Sequence, residues 1–162
     1  MTDTKKPNGP GVKFPPPLLF VGGLFIAWLL ESRVYSLTLF PLGAVTPAAR
    51  SAGYTLVLGG AAIAVWGMIT FARAHTAIIP NNPASSLVET GPYRFTRNPM
   101  YTGMTVAYLG GILLLNTWWA VFFLPIALVL LFRFVVRREE RYLSAEFGTA
   151  YDDYRKRVKR WI

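Results

Sequence analysis

Hydrophobic residues along the chain are grouped into four long runs separated by short polar stretches. The runs extend over residues 18–40, 52–72, 100–115 and 118–136. A helix needs about 20 apolar residues to cross a bilayer. The first two runs reach that length, and the last two are joined only by Asn116 and Thr117. The pattern therefore predicts about four membrane-spanning helices, of which the last two form a tight hairpin.

The polar stretch after the fourth run has an apolar periodicity of its own. Apolar side chains recur at three- and four-residue steps, at Leu143, Phe147, Tyr151, Tyr154 and Val158. This spacing is typical of one face of an amphipathic helix. We expect an amphipathic cytoplasmic helix over residues 137–161, with Gly148 as its weakest point.

Proline and glycine mark the segments outside the helices. They are frequent in residues 1–14, which we predict to be a disordered tail ahead of a single domain over residues 15–162. Glu31 and Arg33 interrupt the first run, and no small-residue cleavage site follows it. A retained helix is therefore favoured over a cleaved signal peptide. Together these patterns predict an all-α integral membrane protein.

Composition supports this fold class and excludes several kinds of site. The chain has 162 residues, of which 53% are hydrophobic and 15% charged, too apolar for an ordinary soluble domain. It has no cysteine and a single histidine, His75. Disulfides, thiolate metal sites and cysteine nucleophiles are excluded, and we predict no metal site.

The net charge of +9 has a distribution that indicates membrane lipids rather than nucleic acid as partners. Nine of the 17 lysines and arginines lie in the last 30 residues, and three precede the first run. Basic residues concentrate on the cytoplasmic side of membrane proteins. Four spans with both termini in the cytoplasm place 15 of the 17 on that side. No nucleic-acid-binding motif accompanies the charge, so we expect no nucleic-acid partner. The spans and the charge distribution predict a protein of the cell (inner) membrane.

The loop before the third run ends in Arg97-Asn98-Pro99. Proline is well tolerated at the first position of a helix. The amides of Met100 and Tyr101 would then lie at a helix amino terminus, which favours anionic or electron-rich groups. Asn98 as a simple helix cap would explain the same residues, and this alternative stays open.

Charged residues at the end of the fourth run form a second candidate. They are Arg133, Arg137, Glu139 and Glu140. Ionisable residues at the end of a membrane helix indicate a site, although an interfacial helix stabilised by salt bridges is the alternative. Consecutive helical residues point about 100° apart, so we expect the two glutamates to have different roles. Both candidates share the predicted cytoplasmic face, as a composite site requires.

Several ordered motifs, taken together, carry a resemblance to a known family. They are Leu87-Val88-Glu89-Thr90-Gly91-Pro92-Tyr93, the run from Arg97 to Gly103, Glu139-Glu140, Phe147-Gly148-x-x-Tyr151-x-x-Tyr154 and Val158-x-Arg160. Over roughly residues 50 to 162 the chain resembles the superfamily of isoprenylcysteine carboxyl methyltransferases and phospholipid methyltransferases, which are integral membrane enzymes. The resemblance implies S-adenosylmethionine as cofactor, bound without a dinucleotide-binding fold.

The resemblance also implies roles for individual residues. The cofactor-binding residues would be Leu87, Val88, Tyr93, Arg97, Asn98, Pro99, Met100 and Tyr101, with Glu140 supporting the cofactor or the fold. Glu139 would lie where cofactor and acceptor meet, and Arg133 or Arg137 would hold an anionic acceptor. Val135 stands where the family has its substrate arginine.

The acceptor implied is a lipophilic small molecule or a prenylated cysteine. Asn98 stands where many relatives carry histidine, and an amide cannot act as a base near neutral pH. A carboxylate acceptor needs no base, so isoprenylcysteine-type carboxyl methylation is our first hypothesis. Phospholipid amine methylation is the second, and a non-catalytic lipid-binding scaffold is the third.

Overall fold

The computed structural model describes residues 9–12, 15–40, 45–75 and 84–161, and these are mainly helical. The helices are α1 (Pro17–Arg33), α2 (Pro47–Arg73), α3 (Pro99–Leu115), α4 (Trp118–Leu131), α5 (Arg137–Phe147) and α6 (Thr149–Arg157). A 3-10 turn over Gly91–Arg94 precedes α3, and a π turn over Phe132–Val136 joins α4 to α5. Within the described ranges the only β pairing is an isolated bridge between Thr38 and Thr117. The all-α prediction is confirmed.

The first helix ends earlier than predicted. α1 stops at Arg33, whereas the apolar run continues to residue 40. The carboxylate of Glu31 accepts hydrogen bonds from the Ser36 hydroxyl at 2.5 Å and from the Leu37 amide at 2.9 Å. These bonds turn the chain back after the helix. The predicted span over residues 18–40 was therefore too long, because hydrophobicity alone does not show this local hydrogen bonding.

α2 and α3 pack against each other through glycines. A Cβ atom added at Gly60 would lie 2.4 Å from the Gly103 carbonyl oxygen, and one added at Gly103 would lie 2.5 Å from the Gly60 carbonyl oxygen. Such close backbone approach is typical of small-residue interfaces between membrane helices. Of the pair Gly59-Gly60, only Gly60 lies in the interface, since a Cβ at Gly59 would meet open space.

The fourth helix and the tail differ from the prediction at two points. The predicted span 118–136 is α-helical to Leu131 and then widens into the π turn. The predicted tail helix 137–161 is interrupted at Gly148, whose φ of +52° few other residues adopt. It ends at Arg157, after which Val158 has extended backbone. The residues Val158, Lys159, Arg160 and Trp161, which we call the tail segment, therefore lie outside any helix.

Two helical stretches of the described residues are long and apolar enough to cross a membrane. They are Pro47–Arg73 and Trp118–Phe147, the latter running through α4, the π turn and α5. The apolar part of the second ends at Val136, and the charged residues of α5 follow. Large apolar side chains such as Phe25, Leu58 and Phe122 are exposed on the helices. Exposed apolar helices of this kind are a feature of membrane proteins.

The connections between helices meet at two opposite ends of the bundle. At one end the Phe40 amide donates to Asn116 Oδ1 at 2.9 Å, and the Thr117 hydroxyl donates to Glu31 at 2.7 Å. At the other end the loop before α3 contacts α5, α6 and the tail segment. The second end carries the candidate site.

Part of the predicted disordered tail is packed on the bundle. Val12 is only 3% exposed and belongs to the main hydrophobic core, and the Gly11 carbonyl accepts a hydrogen bond from Arg138 at 2.9 Å. The prediction of disorder over residues 1–14 is therefore wrong for these two residues, because apolar burial fixes them. Residues 1–8 and 13–14 lie outside the described residues.

Candidate active site

A tyrosine of α3 and a glutamate of α5 are hydrogen-bonded at the start of both helices. The Tyr101 hydroxyl donates to Glu139 Oε1 at 2.6 Å. Tyr101 lies in the first turn of α3, which Pro99 begins, and it is only 7% exposed. A hydroxyl–carboxylate bond of this length is charge-assisted and fixes the carboxylate. It joins two stretches that are far apart in the sequence.

Glu140 has different partners from Glu139. Arg160 donates to both oxygens of Glu140, each at 2.8 Å, and Arg97 Nη1 lies 3.1 Å from Oε1. The paired guanidinium–carboxylate geometry is specific as well as strong. Glu140 thus holds the loop before α3 and the tail segment together. The two glutamates face different partners, in agreement with the 100° argument.

Backbone and side-chain hydrogen bonds attach the tail segment to the same loop. The Arg97 amide donates to the Lys159 carbonyl at 2.9 Å. The Arg160 carbonyl accepts from the Thr96 hydroxyl and from Asn98 Nδ2, each at 3.0 Å. The Asn98 side chain makes no capping bond to α3. The alternative that Asn98 serves as a simple helix cap is therefore wrong, because its amide is used to hold the tail segment.

Tyr93 is buried beside this cluster. Its ring lies 4.8 Å, centroid to centroid, from the Phe71 ring, and its carbonyl accepts a hydrogen bond from the Tyr154 hydroxyl at 2.8 Å. Burial raises the pKa of the Tyr93 hydroxyl, and the negative charge of Glu139 raises it further. The Tyr93 hydroxyl is thus neutral, and it lies close enough to Glu139 for an electrostatic interaction between them.

Buried polar atoms without a hydrogen-bond partner are concentrated at this end. Of four such side-chain atoms among the described residues, three are Tyr93 Oη, Arg97 Nε and Thr102 Oγ1. Buried polar groups in folded proteins are nearly always paired, and each exception requires an explanation. All three belong to the loop before α3 or to its first turn. They are the atoms that a bound polar ligand would satisfy.

The carboxyl group of Glu139 lies beyond the apolar part of its helix and is itself partly buried. Burial raises the pKa of Glu139 to about 7, the hydrogen bond from Tyr101 lowers it, and the charge of Glu140 raises it. Burial disfavours the ionised form of a carboxyl group. A raised carboxyl pKa of this kind is common among groups that act on a substrate.

The remaining residues of the predicted cofactor site surround the same loop. Val88 is buried, and Leu87 packs against the cluster formed by Tyr151, Tyr154 and Val158. Met100 lies against α2, where a Cβ at Gly67 would come within 2.8 Å of its Cγ. All the residues from Leu87 to Tyr101 that the resemblance implies are therefore at one end of the bundle.

Arg133 and Arg137 are placed differently from Glu139. Both side chains are exposed, and within the described residues neither forms a hydrogen bond or ion pair. Arg133 lies in the π turn, which has more residues per turn than an α-helix and so changes the directions of the side chains around it. Their role as ligands of an anionic acceptor stays a prediction.

An apolar cavity of about 560 Å³ lies between α3 and α4. Its lining comprises Thr102, Thr105, Val106, Leu128, Val129, Phe132 and Trp161. The Arg160 guanidinium lies 5.0 Å from the centroid of the Phe132 ring, so the cavity adjoins the polar cluster. Its lining is mainly apolar and would suit an apolar ligand.

Sequence reasoning missed the contribution of the tail segment. Arg160 was part of a motif, Val158-x-Arg160, but no role was inferred for it. Trp161 and Thr102 carried no signal, because single aromatic and hydroxyl residues are common near membrane surfaces.

The helical bundle and its Tyr–Glu–Arg cluster define a class: a helical membrane protein whose described residues bring two distant stretches together in a polar cluster at one end. A sequence model of the phospholipid methyltransferase family matches residues 48–150, more than half of the chain. The chain belongs to this family. The resemblance noted in the sequence is thereby confirmed.

Two curated relatives have similar sequences. One is the protein-S-isoprenylcysteine O-methyltransferase of Schizosaccharomyces pombe, 32% identical over 85 residues that cover 52% of this chain and 36% of the relative. The other is protein-S-isoprenylcysteine O-methyltransferase B of Arabidopsis thaliana, 31% identical over 112 residues that cover 65% of this chain and 55% of the relative. The chain thus matches about a third to a half of their lengths. No solved structure matches it.

Proposed function

We propose that this protein is an S-adenosylmethionine-dependent methyltransferase acting on a lipophilic acceptor, with isoprenylcysteine-type carboxyl methylation as the first choice. Family membership and the names of both relatives support it. The observation that carries the proposal is the meeting of the two candidate stretches: Tyr101 bonds Glu139 at 2.6 Å, and Arg97 pairs with Glu140 at 3.1 Å. Neither contact would exist if the stretches lay at opposite ends of the bundle.

The buried atoms without partners make the loop before α3 a suitable place for the cofactor. The residues that would hold it are Leu87, Val88, Tyr93, Arg97, Pro99, Met100 and Tyr101. Asn98 would act by fixing the turn, since its amide is bonded to the Arg160 carbonyl. When bound, S-adenosylmethionine supplies a methyl group attached to a positively charged sulfur.

The protein's own residues would act mainly by placing charge. An ionised Glu139 in a partly buried position favours a positively charged donor more strongly than it would in water. Tyr101 orients this carboxylate through its hydrogen bond. Glu140, held by Arg97 and Arg160, keeps the surrounding loop in place. Positioning of this kind accounts for a large part of the acceleration of a group-transfer reaction.

The cavity between α3 and α4 supports a lipophilic acceptor. Its lining is suited to an apolar chain, and Arg160 lies beside Phe132 at its edge. A carboxylate acceptor is already a nucleophile and needs no base, which agrees with Asn98 in place of an imidazole. Arg133 and Arg137, both exposed, would act as further cations toward an anionic acceptor or toward membrane lipids.

Phospholipid amine methylation is the second candidate. The description of the family favours it, and so does Glu139, whose pKa of about 7 suits a group that accepts a proton. An amine acceptor must lose a proton before or during transfer, and Glu139 would receive it.

We further propose that residues 15–162 form a single domain with four spans in the cell (inner) membrane. Both termini would then lie in the cytoplasm. The contacts at the two ends of the bundle support helices that alternate in direction across the membrane. The chain before α2 meets the α3–α4 connection through the Thr38–Thr117 bridge. The loop before α3 meets α5 at the other end. Most basic residues then lie on the cytoplasmic side.

Binding of S-adenosylhomocysteine to purified protein in micelles tests the cofactor proposal. We expect saturable binding by calorimetric titration, because the loop before α3 supplies unpaired polar groups. Absence of binding would favour the non-catalytic lipid-binding scaffold.

Transfer of a radiolabelled methyl group then identifies the acceptor. We expect labelling of a farnesylated N-acetylcysteine in the wild-type protein. Label in phosphatidylethanolamine alone would replace the first choice with the second. Micelles without the protein give the background labelling.

A further inference from the structure

The cavity between α3 and α4 begins at the end of the bundle that carries the candidate site. Thr102 lies in the first turn of α3 and Phe132 directly follows α4, so both lining residues belong to that end. Val106 on α3 and Leu128 on α4 line the cavity one helical turn further from it. The lining therefore reaches from the candidate site to apolar side chains deeper between the two helices.

Thr102 has a hydroxyl group that lacks a partner at this end of the cavity. Its Oγ1 atom is buried and forms no hydrogen bond within the described residues. Thr105 lines the same wall, but its hydroxyl donates to the Tyr101 carbonyl at 2.8 Å. Because threonine adopts two χ1 rotamers in helices, the Thr102 hydroxyl can turn without any movement of the backbone. A polar group bound in the cavity would supply the partner that Thr102 lacks.

The Arg160 guanidinium lies at the same end of the cavity. Its Cζ atom is 5.0 Å from the centroid of the Phe132 ring, and the next residue, Trp161, lines the cavity. A guanidinium has five N–H donors. Nε and Nη2 donate to Glu140, each at 2.8 Å, and the other three donors have no partner among the described residues. The side chain is 34% exposed, so these donors are accessible to a ligand.

The charges around Arg160 favour an anion. Arg160 and Arg97 share Glu140, so these three residues together carry one positive charge in excess. The neighbouring Glu139 is bonded separately to Tyr101. An excess of positive charge at the end of an apolar cavity is complementary to an amphiphile whose apolar chain ends in an anionic group.

We infer that Thr102 and Arg160 form a subsite for the carboxylate of the methyl acceptor, whose apolar chain would lie between α3 and α4. The inference rests on the proposed function and deepens it, because it orients the acceptor with its reacting group at the candidate site. The guanidinium would supply charge-assisted hydrogen bonds and the hydroxyl one more. Arg160, rather than the exposed Arg133 or Arg137, would then be the main cation for the acceptor.

Displacement of a labelled amphiphile tests this subsite without methyl transfer. Tritium-labelled N-acetyl-S-farnesylcysteine is bound to the protein in uncharged micelles without S-adenosylmethionine. It is then displaced by the unlabelled compound or by its neutral carboxamide. We expect the wild-type protein to bind the carboxylate about tenfold more tightly than the carboxamide, because the carboxamide forms no charge-assisted bonds. Equal affinities, or the absence of saturable binding, would overturn the inference.

Matched variants identify the residues that produce this preference. Thr102→Val, which removes the hydroxyl at nearly constant size, should reduce the preference about threefold, and Arg160→Gln should remove it. Thr105→Val should leave it unchanged, since the Thr105 hydroxyl is already bonded within α3. Arg133→Gln and Arg137→Gln should keep it too. A wild-type preference in either Thr102→Val or Arg160→Gln overturns the inference.

Glu140→Gln separates ligand binding by Arg160 from its contact with the tail segment's partner. This variant weakens the same Arg160–Glu140 contact but leaves the guanidinium with more free donors, so the preference for the carboxylate should rise. A fall in this preference would show that Arg160 acts only through Glu140, and would contradict the subsite. Thermal unfolding checks that each variant is folded. Thr102→Val, which leaves the contact intact, carries the test if Arg160→Gln unfolds.

Methyl-transfer assays with the same amphiphile separate this inference from the proposed function. If the carboxylate preference changes as expected but no methyl group is transferred, the proposed function fails and the subsite stands. If methylation occurs and the wild-type preference is absent, the inference fails alone. Displacement by oleate as strong as that by N-acetyl-S-farnesylcysteine would assign the subsite to fatty acids of the membrane instead of the acceptor, and would also overturn the inference.

Discussion

At the scale of single residues, two adjacent glutamates have separate tasks. Glu139 is bonded to Tyr101 and lies near Tyr93, whose pKa its charge raises, while Glu140 is paired with two arginines. Glu140, paired with both arginines, stabilises the loop. Glu139, whose hydrogen-bond partner Tyr101 is neutral, is the glutamate that we propose interacts with a cation.

Glu139→Gln should abolish methyl transfer while the protein stays folded. The amide keeps the size of the side chain and removes the negative charge proposed to face the donor. Loss of one well-placed electrostatic group lowers kcat by about 100-fold or more. Initial rates of radiolabel transfer measure this, with S-adenosylhomocysteine binding and thermal unfolding as checks on folding. Undiminished turnover would contradict the proposed role.

The same substitution should change how stability depends on pH. Because burial raises the pKa of Glu139 to about 7, the folded state holds its proton more tightly than the unfolded state. The stability that this tighter proton binding contributes to the folded state is present below the ordinary carboxyl pKa. It is lost as pH rises through about 7. Glu139→Gln should therefore gain stability relative to wild type between about pH 5 and pH 8, by on the order of 2 kcal/mol.

Apparent melting temperatures in micelles across this range measure the effect. Tyr101→Phe provides the companion test, since the hydrogen bond from Tyr101 lowers the pKa of Glu139. Its removal should move the pH-dependent loss of stability to higher pH. A difference between Glu139→Gln and wild type that stays constant with pH would show that Glu139 does not titrate in this range.

At the scale of elements, the closest packing is between α2 and α3. Gly60 and Gly103 bring the two backbones together, and Gly110 does the same further along, where a Cβ would lie 2.5 Å from the Gly53 carbonyl oxygen. This pair of helices fixes the start of α3, and hence Tyr101, relative to the rest of the bundle.

Gly60→Ala should destabilise the protein strongly, whereas its neighbour Gly59→Ala should not. The added methyl group at Gly60 would lie 2.4 Å from backbone atoms of α3, which cannot move aside as a side chain can, but at Gly59 it would meet open space. Overpacking of this kind costs about 1–3 kcal/mol or more. Thermal unfolding of both variants in the same detergent gives the comparison. Equal stability of the two would contradict the close approach of α2 and α3.

Helix type and order were predictable from the sequence, but helix ends and the tail were only partly so. The run from 52 to 72 was a helix, as its uniform hydrophobicity indicated, and Pro99 began α3 as proline does. The end of α1 depended on Glu31 bonding residues beyond the helix, and the use of Asn98 depended on Arg160, 62 residues away. The first is local hydrogen bonding that hydrophobicity does not show, and the second is a tertiary contact with no local signature.

At the scale of the whole molecule, the connections form two groups at opposite ends. One group contains Glu31, Asn116 and Thr117, and the other contains the candidate site. The resemblance predicted a site composed of the loop before α3 and the start of α5, and these two segments are in contact. The roles of their residues stay predictions. The cavity between α3 and α4 depended on packing of distant segments and had no counterpart in the sequence pattern.

Single cysteines should report the proposed arrangement in the membrane, since the chain has none of its own. Val34→Cys, at the exposed residue after α1, should react with a membrane-impermeant maleimide in intact cells. Lys156→Cys, on the exposed face of α6, should react only after the cells are opened. Labelling of both positions in intact cells, or of neither, would contradict four spans with cytoplasmic termini.

The glycine contacts between α2 and α3 have a consequence for how a bulky lipid gains access. Backbone atoms of α2 and α3 approach each other closely along this pair, so we expect the two helices to move little relative to each other. Widening of the cavity should then come from its opposite wall, where Pro125 interrupts the hydrogen-bond ladder of α4 and the π turn follows. We expect α2 and α3 to form a fixed frame and α4 to be the helix that moves.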